Sequence, residues 1–186
     1  MAVREILRMG NPLLRKRARE LTKEEILSDW FKNLVVDMSD SMHATNGVGI
    51  AAPQVGELVR LSVVEFSSDN ARYPEMGAQG LTVFVNPVLK VTQTYEQIFW
   101  EGCLSVPDLR GAVARPSGVY VEYLNENAEL KQIQAGGFLA TVLQHEFDHL
   151  DGILYIDRVK DLTKLSFIDE YKQFWAPQAL HKELDD

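Results

Sequence analysis

The sequence predicts one α+β domain over residues 1–186, with mostly antiparallel strands packed around a central helix, a long N-terminal helix and a C-terminal helix. Three observations lead there. The middle of the chain is rich in β-branched runs, two of which flank the turn Asn125-Glu-Asn-Ala128 as a hairpin. Gly136-Gly137 then introduces "FLATVLQHEFDHL", long and apolar enough to be a largely buried helix. No internal repeat and no linker rich in Pro, Gly or Ser divides the chain.

Composition narrows the setting. With 186 residues, 46% of them hydrophobic and 25% charged, the chain has the make-up of an ordinary globular domain. No apolar run approaches the roughly 18 residues needed to cross a bilayer. The start, "MAVREILRMG", carries charges where a secretory signal would be hydrophobic, so a cytoplasmic protein is expected. A net charge of −8 opposes broad adhesion to nucleic acid or anionic membrane. The single cysteine, Cys103, excludes an internal disulfide and fits a reducing compartment.

Element by element, the Asn-Pro of "NPLLRKRA" suggests a turn. Thr22-Lys-Glu-Glu25 is a capping box, and Leu27, Trp30, Phe31, Leu34, Met38 and Met42 then recur at steps of three and four, predicting one helix that ends near Asn46-Gly47. "LVRLSVVEF" (58–66) and "LTVFVNPVLKV" (81–91) read as strands, with Pro87 marking an edge or a bulge. Between them, Ser67 to Gly80 reads as a long surface loop. "TYEQIFW" (94–100) is a further strand, and "GVYVEYL" (118–124) with "ELKQIQA" (129–135) forms the hairpin. Leu162, Leu165, Ile168 and Tyr171 give "DLTKLSFIDEYKQFW" (161–175) helical spacing.

The chemistry concentrates in "QHEFDHLDG" (144–152). On a helix His145 and His149 lie one turn apart on one face, so both rings can address one metal ion, while Glu146 falls nearby as a general base toward water. The alternative is a polar stripe with a salt-bridging glutamate. Burying three ionisable groups without a metal or partners would cost several kcal/mol. A third ligand has three candidate sources. A histidine six residues after His149 is excluded by Tyr155. Asp169 or Glu170 stands about 20 residues downstream, where Lys164 and Lys172 make a solvated face an adequate explanation. Cys103 sits in "WEGCLSVP", where Gly102 and Pro107 frame a constrained turn that presents the sulfur, and a thiolate with two imidazoles leaves a position open for water. Finally, "NGVGIAAPQVG" (46–56) is either a close-packed turn or a peptide-binding edge. There Gly47 and Gly49 admit a substrate backbone, and Gln54 offers an amide donor to an oxyanion.

Taken together, Gly47-Val-Gly-Ile-Ala-Ala-Pro-Gln54, Glu101-Gly-Cys-Leu-Ser105 and Gln144-His-Glu-Phe-Asp-His149 resemble, in order, the three motifs of peptide deformylase, and the similarity spans about residues 5–157. The resemblance implies a metallohydrolase that removes the formyl group from the N-formylmethionine of nascent chains, releasing formate. It implies one divalent metal per chain on Cys103, His145 and His149, iron(II) first, with zinc, nickel or cobalt as substitutes. It implies Glu146, Gln54 and the Leu104 N–H as catalytic groups, and Gly47, Val48, Gly49 and Ile50 against the peptide. Glu101, Val142 and His145 would border the methionine pocket, and Arg110 the peptide's far end. Expected partners are the formyl-Met peptide and, transiently, the ribosome, with no membrane and no specific nucleic acid; a monomer or weak homodimer is expected.

Overall fold

The computed structural model describes residues 3–66 and 79–176. The loop expected over Ser67–Gly80 lies outside the described residues, apart from its last two positions.

Near the start, Asn11 accepts a hydrogen bond from the Leu13 N–H and caps a 3-10 turn, Pro12–Arg15, as the Asn-Pro pair suggests. The capping box forms: Thr22 Oγ1 accepts from the Glu25 N–H at 3.3 Å, and Glu25 Oε2 accepts from the Thr22 N–H at 2.8 Å. The predicted single helix is two. After one turn, α1 (Lys23–Ile26), the Ser28 hydroxyl donates to the Glu25 carbonyl at 2.6 Å and accepts from the Phe31 N–H at 3.2 Å, capping a new helix, α2 (Asp29–Ala44). This break re-aims the side chains. Leu27 and Trp30 are 47% and 40% exposed, whereas Phe31, Leu34, Met38 and Met42 are fully buried.

Among the described residues the named strands all pair antiparallel, in the order β1 (Gly49–Ala51), β2 (Leu61–Phe66), β3 (Gln79–Cys103), β4 (Val106–Leu124), β5 (Leu130–Gly136), with β6 (Leu165–Phe167) on β4. The two strands predicted over 81–91 and 94–100 are one strand, β3, which absorbs the intervening residues in register shifts between Val91 and Gln93 and between Gln93 and Glu96. Pro87 falls in another shift, between Val85 and Val88, the bulge its missing N–H demands. The first half of β4 was not expected as strand. Pro107 lies inside it, and the turn around the cysteine is only Leu104-Ser105, so that Cys103 pairs with Val106.

Helix α3 (Gly137–Leu150) lays Ala140, Leu143, Phe147 and Leu150 on Val64, Phe84, Val119 and Val121 of the sheet. Helix α2 covers Ile50, Leu61, Val63 and Val85. The C-terminal helix expected over 161–175 is broken up. A 3-10 turn, Leu162–Lys164, leads into β6, then into the short turns α4 (Ile168–Glu170) and Tyr171–Trp175. The open edge of β4 at Leu109–Gly111 draws Leu165–Phe167 into the sheet, and Tyr171 and Trp175 pack their rings 5.0 and 5.3 Å from Trp100. Among the described residues, no helix is long and apolar enough to cross a membrane.

Candidate active site

Two elements meet at one point. Cys103 ends β3, just before its two-residue turn, while α3 carries His145 and His149 on the face turned to it. One donor atom from each lies within 4.8 Å of the others, and Cys103 Sγ is 3.2 Å from His149 Nε2. Metal bonds of about 2.0–2.3 Å would bring such atoms roughly this close, and one soft thiolate with two imidazoles suits zinc or a first-row transition metal. Asp169 and Glu170 are exposed and stand outside this cluster. Tyr155 is no ligand; its ring stacks on that of His145, with centroids 6.0 Å apart.

Glu146 projects from the same helix and is buried. Its Oε2 has no hydrogen-bond partner, and neither does Nδ1 of His149. Burial pushes the Glu146 carboxyl up to about 7, against the pull of His145. Burial opposes protonation of His145 too, but the Cys103 thiol and the Glu101 carboxylate outweigh it and hold its pKa well above the usual value. His149 goes the other way, lowered by burial and then by the charges of His145 and Arg115. A bound cation would displace protons from its ligands.

Gln54 is fixed from both ends. Its Oε1 accepts from the Ala51 N–H at 2.8 Å, so its amide nitrogen points inward, 3.2 Å from Ser105 Oγ and 3.5 Å from Cys103 Sγ. Gln144 has a structural job, donating to the carbonyls of Pro116 and Ala140 at 2.9 Å and so tying α3 to β4.

An open groove of about 640 Å³ passes the cluster, lined by Gly47, Val48, Gly49, Gln54 and Leu104 as well as Cys103, His145 and Glu146. A side pocket of about 70 Å³ opens beside it, between Val48, Trp100, Glu101, Phe138 and Val142. Arg110 borders both. Ile50 is the exception among the expected peptide contacts: its side chain is fully buried in the core under α2, which leaves only its backbone for a peptide.

The sequence did not single out Arg115, Asp148 or Arg158. Arg115 is 2% exposed and grips Glu101 with two hydrogen bonds of 2.6 and 3.0 Å, while Glu101 Oε2 lies 2.8 Å from His145 Nδ1. The carboxylate therefore fixes the ring so that Nε2 is left for the metal cluster. Burial would raise the Glu101 pKa, but hydrogen bonds from His145 and Arg115 hold it below the ordinary carboxylate value.

This arrangement agrees with comparisons against known proteins. The profile of the polypeptide deformylase family matches residues 3–165. The chain belongs to the peptide deformylase family. It is 44% identical to the peptide deformylase of Leptospira biflexa over 165 residues, which are 89% of this chain and 92% of that one. Against peptide deformylase 1 of Prochlorococcus marinus the identity is 42%, over 91% of this chain and 88% of the relative. Among solved structures, the Met-Ala-Ser-bound class I type b peptide deformylase of Acinetobacter baumannii superposes with a TM-score of 0.80 at 38% identity, covering 84% of this chain and 98% of that one. The actinonin complex of the Synechococcus elongatus deformylase gives 0.75 at 31% identity, over 86% and 80%. Peptide deformylases are metal-dependent enzymes; this chain has the α+β fold of the solved ones and brings together three residues that could hold a metal ion.

Proposed function

We propose that the groove receives the N-formylmethionyl end of a nascent chain and that the residues around Cys103 hydrolyse its formyl amide, giving formate and a free amino terminus. Family membership supports the reaction, and the buried, unpartnered Oε2 of Glu146 beside the Cys103, His145 and His149 triad is the observation that carries the residue assignment. Those three would hold a divalent ion, ferrous iron or in its place zinc, nickel or cobalt, which would supply Lewis acidity and lower the pKa of water.

Glu146 takes the proton of the attacking water and hands it to the leaving amine, a role suited to a carboxyl whose pKa burial has raised toward neutrality. The Gln54 amide, aimed inward by its bond to Ala51, and the Leu104 N–H donate to the oxyanion that develops on the formyl oxygen. Gly47, Val48 and Gly49, with the backbone of Ile50, pair with the peptide along β1. The side pocket bounded by Glu101 and Val142 takes the methionine side chain, and Arg110 meets the peptide beyond it. The chain works as one domain in the cytoplasm, as a monomer or weak dimer with transient ribosome contact.

The test is formate release from formyl-Met-Ala-Ser by protein loaded anaerobically with iron, against the unformylated peptide. Formate from the first and no cleavage of the second is expected; cleavage within the unformylated chain would mean an endopeptidase instead.

A further inference from the structure

Beyond Glu101, the charges do not stop. Arg115 turns its remaining nitrogen, Nη1, to Asp148 Oδ2 at 2.8 Å, and Asp148 in turn accepts from Arg158 through Nε at 2.6 Å and Nη2 at 2.5 Å. A line of alternating sign thus runs from Arg158 through Asp148, Arg115 and Glu101 to Nδ1 of His145. Its inner members are almost wholly shielded, but the Arg158 side chain at its outer end is 43% exposed.

Arg158 closes the 3-10 turn Tyr155–Arg158, whose first residue stacks on the His145 ring. This turn therefore reaches one candidate ligand twice, by a ring face and through a chain of charge-assisted hydrogen bonds. Asp148 is shared between two guanidiniums. Without Arg158 its whole charge would fall to Arg115, which would then be pulled between Asp148 and Glu101. Any shift of Arg115 moves Glu101, and Glu101 holds the His145 ring.

We propose that Arg158 is a positioning residue for His145, acting through Asp148, Arg115 and Glu101 to fix the orientation in which the imidazole meets Cys103 and His149. The inference rests on the metal-centre assignment above, but its measurement does not depend on turnover. Cobalt(II)-loaded wild type, Arg158→Met, Arg158→Lys and, as a control, Arg17→Met, which removes the exposed pair of Arg17 with Asp151, are compared for release of cobalt to a chelator and for visible absorption.

Arg158→Met should lose cobalt about tenfold faster with a shifted absorption band, as expected when the support of a ligand is removed. Arg158→Lys should fall between it and wild type, and Arg17→Met should match wild type. In the formyl-Met-Ala-Ser assay the Arg158→Met loss should appear in kcat with KM unchanged. A cobalt spectrum and release rate equal to wild type in Arg158→Met would overturn the proposal, even were that variant less heat-stable. If wild type itself takes up no cobalt, the metal-centre assignment fails rather than the coupling.

Discussion

Gly49 and Glu146 share one space: a Cβ added at Gly49 would lie 2.6 Å from Oε1 of Glu146. The glycine in β1 is thus needed to seat the carboxylate, not only to admit a peptide backbone. Gly49→Ala should push the carboxyl from its position and lower kcat on the order of a hundredfold, the scale of a misplaced catalytic group. Cobalt or iron content should be unchanged, because the three atoms nearest the new methyl all belong to Glu146, which is not in the ligand triad. Metal analysis beside formate kinetics decides it, and a variant with full activity would show that Glu146 tolerates the shift.

Glu146→Gln keeps the volume and removes the base. The triad of Cys103, His145 and His149 is left intact, so bound metal should stay at about one ion per chain while turnover falls by about a hundredfold to ten-thousandfold. Near-normal formate release would remove Glu146 from the proton-transfer role.

The donor triad was legible because helix periodicity alone puts His145 and His149 on one face, and the family motif adds Cys103. Arg115 was hidden in "VARPSG", where an arginine before a proline reads as loop. A signal was present all the same. Val113, Arg115, Ser117, Val119 and Val121 alternate along β4 and are all buried, and an arginine in such a row must have carboxylate partners. The C-terminal segment was misjudged for another reason. Its Leu162, Leu165, Ile168 spacing fits a helix, but the open edge of β4 is a non-local feature that sequence periodicity does not contain.

Arg115→Met should be among the most damaging changes away from the metal. It leaves the buried Glu101 carboxylate without its guanidinium and takes one of two guanidiniums from Asp148, and breaking one partner of a buried pair typically costs about 3–5 kcal/mol. Urea denaturation of the metal-free protein measures it. Adding Glu101→Gln should recover part of the loss, since the carboxylate left without Arg115 is then neutral. A double variant as unstable as the sum of the two single changes would mean that Arg115 and Glu101 are not coupled.

The N-terminal cap, outside the groove lining, gives its own pH signature. Glu25 accepts from Arg19 at 2.7 and 3.0 Å and from the Thr22 N–H at 2.8 Å, and Arg19, then the Thr22 backbone, lower its pKa from the ordinary 4.5 to about 2. Because the folded value is the lower one, the native state favours the ionised form. The stabilisation is present in full above pH 4.5 and is lost as the pH falls through that value toward about 2. Glu25→Gln keeps an acceptor for the Thr22 N–H but removes the charge. Its stability deficit should be greatest near neutral pH and shrink steadily below pH 4.5. Urea midpoints for the two proteins across that range provide the check: a gap that stays constant or widens in acid would mean that the Arg19 pair contributes nothing to the cap.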